Sequence, residues 1–361
     1  MTHAPHHPQD WLQDWLNNGA LISTSSSFSS DELQLAWGEG NAASFYSPDF
    51  FLESPSPWVS FGTTRSIKKA ELFKILEKYV SQFQRPEALP RFRPLTPKDA
   101  FLKEVGRLQN SFKEGSLRKA VPVIFEGTEF PEKKLSSVRL AKWVLSGLKW
   151  AEGYPLSLYG LWKSGDGILG ATPETLLARL PNGNFETMAL AGTSRDGAQL
   201  LKSPKDLQEH QWVIDGIASC LAPLGAKVFP EKTRVVNLPG LSHLQTLMKF
   251  EAPPNILWEE LIKALHPTPA LGAFPKDRGW EWLKDYENRQ SIKRRRFGAP
   301  FGISSFCVVA IRCLQWYGGA LEIGAGCGIV DQSISEQEWA ELQLKLAHVK
   351  RVFGIDEEPI L

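Results

Sequence analysis

The spacing of apolar and polar residues predicts alternating helices and strands along most of the chain. Apolar residues recur at helical spacing over residues 72–79, over 96–114, where Gly115 offers a stop, and over 138–149. The segment 119–125 is almost wholly apolar after its first lysine, which predicts a strand. Helices and strands therefore follow one another through the first half of the chain.

The same pattern continues towards the C-terminus. Strands are predicted at residues 156–161, 168–171, 306–312 and 321–323. A glycine-rich turn is predicted at 324–328, and a final helix begins at Ser335, a good N-cap. The apolar stripe of that helix consists of Trp339, Leu342, Leu346 and Val349. Short strands mixed with helices predict an α+β fold of layered, mostly antiparallel sheets flanked by helices.

Composition places the chain among globular proteins. It has 361 residues, is 42% hydrophobic and carries a formal net charge of +1, so its charge balance does not favour a nucleic-acid surface. The start of the chain lacks a signal segment, and no apolar stretch is long enough to cross a bilayer. We therefore expect a cytoplasmic protein without nucleic-acid or membrane partners, acting as a monomer or weak homodimer. The four cysteines show no CxxC spacing and are expected to be free thiols.

Charged residues on one face of the final helix are candidates for a functional site. Glu338, Glu341 and Lys345 are spaced so that they project from one side. On sequence alone the simpler interpretation is a solvated face, with Glu338 completing a capping box with Ser335. Glu209 lies near the start of another helix, where a carboxylate complements the helix dipole. If Glu209 and Glu341 converge, the two carboxylates would repel, and Mg²⁺ is a common remedy.

A series of short motifs occurs in a fixed order along the chain. The motifs are GATPE at 170–174, LAGT at 190–193, KDLQEH at 205–210, HPTPA at 266–270, AIR at 310–312, GCGIV at 326–330 and EWAE at 338–341. Together they closely resemble the ordered motifs of the chorismate-binding enzyme family, which includes anthranilate, aminodeoxychorismate, salicylate and isochorismate synthases. The resemblance implies an enzyme with the anthranilate synthase component I-like fold. It implies a catalytic core at 96–354 and a divergent N-terminal part at 1–95, within one structural domain.

The resemblance also implies a reaction and its two reacting side chains. Enzymes of this family add a nucleophile at ring carbon C2 of chorismate while the C4 hydroxyl departs. By resemblance Glu174 is the general acid, a role that needs its pKa raised by burial. The matching general base is Lys119, which must lose its proton, as desolvation or nearby cations would favour. Taken alone, either residue could be an ordinary charged side chain.

The remaining site residues are assigned by resemblance alone. Glu209 and Glu341 match the ligands of Mg²⁺, and Glu338 matches a nearby or water-mediated third ligand. The residues matched to substrate contacts are Gly192, Thr193, His243, Arg312, Gly326, Gly328 and Lys345. Arg312 and Lys345 would contact substrate carboxylates, and Arg312 is suited to a bidentate grip. For His243, a core or surface role stays open as an alternative.

The member of the family is predicted from the nucleophile. Aminodeoxychorismate synthases commonly carry a reactive lysine where this chain has Ala191, and anthranilate synthases usually have glutamine at the position of Lys119. Lys119 and the HPTPA segment at 266–270 resemble isochorismate synthases, so water is the expected nucleophile and isochorismate the expected product. Menaquinone biosynthesis is the pathway expected from the overall resemblance. Salicylate synthase, an anthranilate synthase-like enzyme and a non-catalytic chorismate-binding protein stay open as alternatives.

A second lysine competes for the role of base. The segment LAKWVLS at 140–146 looks more like the family's strand around the base than the segment after Lys119 does. The apolar residues around Lys142 recur at helical spacing, however, which places Lys142 on the surface of a helix. Pro122 removes one ladder donor from the strand after Lys119, so that strand is expected to be an edge or to be bulged.

Overall fold

The computed structural model describes residues 10–23, 31–84, 89, 91–130, 133–194, 196–238 and 240–355. The helices are α1 Asp10–Asn17, α2 Lys69–Val80, α3 Lys98–Lys113, α4 Ser137–Ala151, α5 Gly197–Leu200, α6 Pro204–Leu221, α7 Trp258–Leu265, α8 Lys276–Gln290 and α9 Ser335–Val352. The helices predicted at 72–79, 96–114, 138–149 and after Ser335 are confirmed as α2, α3, α4 and α9, with ends shifted by a few residues.

The strands are short and most are antiparallel neighbours. They are β1 Gly19–Ser23, β2 Glu32–Trp37, β3 Ala43–Tyr46, β4 Trp58–Phe61, β5 Thr63–Lys68, β6 Arg93–Pro94, β7 Lys119–Ala120, β8 Val123–Glu129, β9 Ser157–Lys163, β10 Asp166–Thr172, β11 Thr175–Arg179, β12 Phe185–Ser194, β13 Lys227–Pro230, β14 Arg234–Leu238, β15 Leu241–Glu251, β16 Ala273–Phe274, β17 Pro300–Ile303, β18 Phe306–Val309, β19 Cys313–Tyr317, β20 Ala320–Gly326 and β21 Ile329–Val330.

Two large sheets and one small sheet organise these strands. The first sheet has the order β5-β2-β1-β9-β10-β19-β20-β8-β6, and the second has the order β13-β15-β12-β11-β18-β17-β3-β4 with β14 beside β15. The small sheet has the order β16-β7-β21. The expected α+β fold with antiparallel sheets is confirmed. Strands from the first 95 residues enter both large sheets. Strands β1, β2, β5 and β6 lie in the first, and β3 and β4 lie in the second.

The core is divided into layers. Helices α4 and α9 contact the first sheet, and α6 and α7 contact the second. One apolar cluster lies between α4, α9 and the first sheet, and another between α6, α7 and the second. A third cluster joins the two sheets through rings such as those of Phe45, Tyr159 and Phe301. Burying each large apolar side chain contributes roughly 1.5–3 kcal/mol, so the two sheets are held face to face by their aromatic residues.

Two predicted strands proved to be wrong in extent, each for a physical reason. The segment 119–125 is split into β7 and β8, which belong to different sheets, and Pro122 lies at the break because it has no N–H for a ladder. The strand predicted at 306–312 ends at Val309. The next strand, β19, lies in the other large sheet, and Arg312 in the link has a φ of 54°.

The start of α9 also differs from the prediction. Ser335 is the first helical residue, Ile334 is the N-cap, and no side chain caps the helix. Glu338 is buried and accepts a hydrogen bond from Lys205, so the capping-box interpretation was wrong. Trp339 is only half-buried, while Leu342 and Leu346 are buried as expected. The glycine-rich turn predicted at 324–328 is shorter than expected, because Gly324 and Gly326 belong to strand β20.

Candidate active site

A pocket of about 700 Å³, counting its open mouth, lies between the two large sheets. Its walls come from β7, β12, β15, β20, α6 and α9, together with the turn after β10 and the link between β18 and β19. All the site residues predicted from the sequence line this pocket except Glu338, which accepts a hydrogen bond from Lys205. Residues from distant parts of the chain therefore meet at one concave surface.

Lys119 lies on a strand of the small sheet and lines the pocket. Its strand β7 pairs with β16 on one side and β21 on the other. The side chain is 1% exposed, and its Nζ lies 3.1 Å from Oε1 of Glu209. A Cβ on Gly328 would overlap that carboxylate and approach Cε of Lys119. Glycine at this position of the GCGIV motif therefore leaves room for the Lys119–Glu209 ion pair.

Glu174 follows β10 and is buried in the pocket wall. Burial raises its pKa to about 7, although Lys119, a hydrogen bond from Thr268 and Lys345 act in the opposite direction. Thr268 Oγ1 lies 3.5 Å from Oε1 of Glu174, at the outer limit of a hydrogen bond. The pKa has the direction and the cause that the sequence analysis requires of a general acid. The contact with Thr268, in the HPTPA segment, was not anticipated.

His243 and Arg312 form a fixed pair. Arg312 Nη2 lies 3.0 Å from Nε2 of His243, and Nδ1 of His243 lies 3.2 Å from the carbonyl oxygen of Gly192. A carbonyl only accepts, so we infer that Nδ1 carries the proton and Nε2 accepts from Arg312. Burial, Arg312 and Lys345 lower the pKa of His243 well below its usual range, so the ring is neutral. His243 thus orients a buried guanidinium.

The second guanidinium nitrogen of Arg312 is available to a ligand. Among the described residues, the buried Nη1 has no hydrogen-bond partner. Burial lowers the pKa of Arg312 to about 10, partly offset by Glu341, so the group stays charged at neutral pH. A buried, charged donor in a pocket wall is suited to a carboxylate.

Gly192 and Thr193 lie at an irregularity of β12. The register against β15 shifts between Ala191 and Thr193, and Gly192 has a φ of 73°, which glycine adopts without strain. The shift places Thr193 Oγ1 3.2 Å from Nδ1 of His243. The LAGT motif therefore forms a bulge that brings a backbone carbonyl and a hydroxyl to the same imidazole.

Three carboxylates beside the pocket are each paired with a lysine. The pairs are Lys119–Glu209 at 3.1 Å, Lys205–Glu338 at 2.6 Å and Lys345–Glu341 at 2.7 Å. Burial raises the pKa of Glu338, Glu341 adds to the rise, and Lys205 opposes it. Lys205 was missed as a site residue, although it opens the KDLQEH motif.

The donor set suits a hard divalent cation, although in the described part of the chain no three His, Cys, Asp or Glu side chains already form a metal-binding group. Glu209, Glu338 and Glu341 all influence the buried Cys327 and Lys205 electrostatically, so the carboxylates share one neighbourhood. Carboxylate oxygens are the ligands that Mg²⁺ prefers. The carbonyl of Gly326 accepts a hydrogen bond from Lys345 at 2.8 Å, a contact that the sequence did not predict.

The fold and pocket define a known class of small-molecule enzymes. The profile of the chorismate binding enzyme family matches residues 17–354, and the chain belongs to this family.

No helix in the described residues is long and apolar enough to span a membrane. The cysteines at 220, 307, 313 and 327 are free thiols, as expected.

Relatives of known activity match about half of the chain. It is 32% identical over 218 residues to the salicylate biosynthesis isochorismate synthase of Pseudomonas aeruginosa, covering 54% of this chain and 44% of the relative. It is 33% identical over 209 residues to isochorismate synthase EntC of Escherichia coli K12, covering 52% and 51%. The chain thus spans about half the length of these curated relatives.

Solved structures show the same fold over nearly the whole chain. DhbC of Bacillus anthracis has a TM-score of 0.76 at 21% identity, covering 96% of this chain and 100% of that one. MenF, the menaquinone-specific isochorismate synthase of Escherichia coli, has a TM-score of 0.73 at 16% identity, covering 97% and 92%. At these identities the likeness concerns the fold alone.

Proposed function

We propose that this chain is an isochorismate synthase, an isomerase that converts chorismate to isochorismate with Mg²⁺. One observation carries the proposal. Lys119 and Glu174, the two reacting groups expected from the sequence, line the same pocket from separate elements, and the pKa of Glu174 is raised to about 7. An acid and a base facing one cavity suit a reaction that adds water and expels hydroxide. Relatives with isochorismate synthase activity support this choice.

The chain's residues would divide the chemistry as follows. Lys119 would act as the base and take a proton from water as the water oxygen bonds to ring carbon C2. The ring double bonds shift, the bond between C4 and its hydroxyl breaks, and Glu174 donates its proton to the departing oxygen. One water enters and one leaves, so the product is an isomer of the substrate.

Cationic groups would hold the substrate in place. Arg312 offers its free Nη1 and Lys345 its ammonium to the carboxylates of chorismate. Gly192, Thr193, Gly326 and Gly328 line the pocket and would lie beside the ring. His243 would act mainly by orienting Arg312.

Mg²⁺ would be held by Glu209 and Glu341, with Glu338 as a direct or water-mediated third ligand. When bound, the ion would neutralise the ring carboxylate as charge develops. We expect exhaustive chelation to abolish turnover, with recovery on adding Mg²⁺. Glu341→Gln should raise the Mg²⁺ concentration for half-maximal activity by roughly tenfold or more, as loss of a metal-site partner does.

Glu336→Gln is the matched control for Glu341→Gln. Glu336 lies on the same helix but is exposed and pairs with Lys98. Its Mg²⁺ dependence should equal that of the unaltered protein. Turnover that survives chelation, or an unchanged Mg²⁺ dependence in Glu341→Gln, would show that the carboxylates have another role.

Product analysis separates this proposal from the alternatives. Ala191 cannot supply an amine, and Lys119 favours water over ammonia, so we expect isochorismate without pyruvate. Pyruvate and product are measured together after incubation with chorismate and Mg²⁺ at neutral pH. Equal yields of pyruvate and salicylate would indicate a salicylate synthase, and anthranilate formed with ammonium would indicate ammonia as nucleophile. Chorismate binding without turnover would indicate a non-catalytic relative.

We also propose a place in menaquinone biosynthesis and a single structural domain. The pathway rests on the overall resemblance of the sequence, and restoration of menaquinone in a strain without isochorismate synthase would test it. The domain proposal rests on β1, which pairs with β2 on one side and β9 on the other. Strands from the N-terminal part and from the catalytic core thus share a sheet, and cooperative unfolding in one transition is expected.

A further inference from the structure

The backbone at Arg312 adopts a conformation that must be held by its surroundings. Arg312 lies in the three-residue link between β18 and β19, where the chain passes from the second sheet to the first. Its φ of 54° lies in the left-handed region, which is costly for a residue with a side chain. Ile311 N donates to Val309 O at 2.9 Å, and Ala171 N donates to Arg312 O at 3.2 Å. These bonds fix both ends of the link.

A side chain from the core completes this arrangement. The hydroxyl of Tyr159 donates to the carbonyl oxygen of Ile311 at 2.9 Å. Tyr159 is fully buried on β9, and its ring packs against Phe301 with centroids 5.1 Å apart. The bond joins residues 152 positions apart and reaches the residue directly before Arg312.

Gly170 makes this reach possible. It lies opposite Tyr159 in the antiparallel ladder of β9 and β10. A Cβ at Gly170 would overlap the ring and the hydroxyl of Tyr159. Because Gly170 has no side chain, the ring of Tyr159 packs directly over its backbone, and the hydroxyl reaches the carbonyl oxygen of Ile311. This explains the glycine at the start of the GATPE motif, which the proposed chemistry does not use.

We propose that Tyr159, admitted by Gly170, is a positioning residue that holds Arg312 in the geometry needed to bind a substrate carboxylate. The proposal rests on the proposed function for the identity of the substrate. Tyr159 does not line the pocket, so it acts through the Ile311–Arg312 backbone. Arg312 in turn contacts the ring of His243, so the ¹⁵N signals of that ring should be sensitive to the position of the guanidinium.

Tyr159→Phe tests the proposal, with Tyr286→Phe as a matched control. Tyr286 is also a fully buried tyrosine that donates to a backbone carbonyl, that of Val123 at 2.6 Å. We expect Tyr159→Phe to raise KM for chorismate about fivefold with kcat within roughly twofold, because a binding contact is weakened uniformly. Gly170→Ala should do the same. Tyr286→Phe should leave both constants unchanged.

Two further measurements separate positioning from a general loss of stability. In an Arg312→Lys background, Tyr159→Phe should have little additional effect on KM, because both changes act on one contact. The ¹⁵N signals of the His243 ring, assigned with His243→Gln, should move in Tyr159→Phe and not in Tyr286→Phe. Unchanged His243 signals and KM, with melting temperatures lowered equally in both variants, would overturn the proposal. If the unaltered protein converts no chorismate, the proposed function fails, and the His243 spectra still decide whether Tyr159 positions Arg312.

Discussion

Lys119→Ala is expected to lower kcat by at least about 100-fold, the usual loss when a general base is removed. Lys119 is buried and lines the pocket on a strand of the small sheet. The other lysine in the described pocket lining, Lys345, lies on helix α9 and pairs with Glu341. Lys119→Gln should be equally inactive while keeping a hydrogen-bond donor for the buried Glu209. The measurement is steady-state turnover of chorismate at saturating Mg²⁺, with a melting curve to confirm that each variant is folded.

Lys142→Ala is the control, because Lys142 is the lysine that local resemblance would select. It lies on α4, on the outer side of the first sheet, and does not line the pocket. Turnover should remain within roughly twofold of the unaltered protein, as for most surface substitutions. A folded but inactive Lys142→Ala beside a nearly normal Lys119→Ala would mean that the base had been assigned to the wrong segment.

Glu174→Gln is the second change with a large expected effect. Glutamine keeps the size of the side chain but has no acidic proton, so kcat should fall by about 100-fold or more. In the unaltered protein the pKa of Glu174 is about 7, and the acid must be protonated to act. Activity that depends on this group should therefore decline as the pH rises through about 7. Glu186→Gln, at a buried glutamate outside the pocket, should retain activity.

The same pKa makes a prediction about stability with a definite sign. Burial raises the pKa of Glu174 from 4.5 to about 7, so the folded state binds the proton more tightly than the unfolded state. Its contribution is fully present below about pH 4.5 and is lost as the pH rises through 7. Between about pH 4 and pH 8, the unaltered protein should therefore lose about 3 kcal/mol of stability relative to Glu174→Gln. Denaturant unfolding of both proteins at about pH 4 and about pH 8 measures this change. If the free energy of unfolding of the two proteins depended on pH in the same way, Glu174 would not be a buried, protonated carboxyl.

Long periodic segments of this chain could be predicted from sequence, and connections between sheets could not. Helices α3 and α4 have regular apolar faces, so their period is visible locally. The break at Pro122 and the left-handed Arg312 arise where the chain changes sheets, which depends on distant partners. The strand β1 is buried along its whole length and shows no alternation to read.

The sequence indicated many of the residues that line the pocket, but not how they pair. Most of these residues lie in the ordered motifs, whereas Lys119, His243 and Lys345 lie outside them and were matched by the wider resemblance. Lys205–Glu338 joins positions 133 apart, and Thr268–Glu174 joins positions 94 apart. Nothing in either local sequence specifies such a partner. The contact of Tyr159 with Ile311 could not be predicted either. In the structure it is accompanied by Gly170, the glycine opposite Tyr159 in the β9–β10 ladder.

The central claim is that water adds to chorismate within the pocket that joins Lys119 and Glu174. The most direct measurement is the reaction of the purified protein with chorismate and Mg²⁺ in water enriched in oxygen-18, followed by chromatography and mass spectrometry. We expect isochorismate carrying one heavy oxygen at the new C2 hydroxyl, without pyruvate, and no such product from Lys119→Gln. Unlabelled isochorismate, or labelled product formed at full rate by Lys119→Gln, would contradict it.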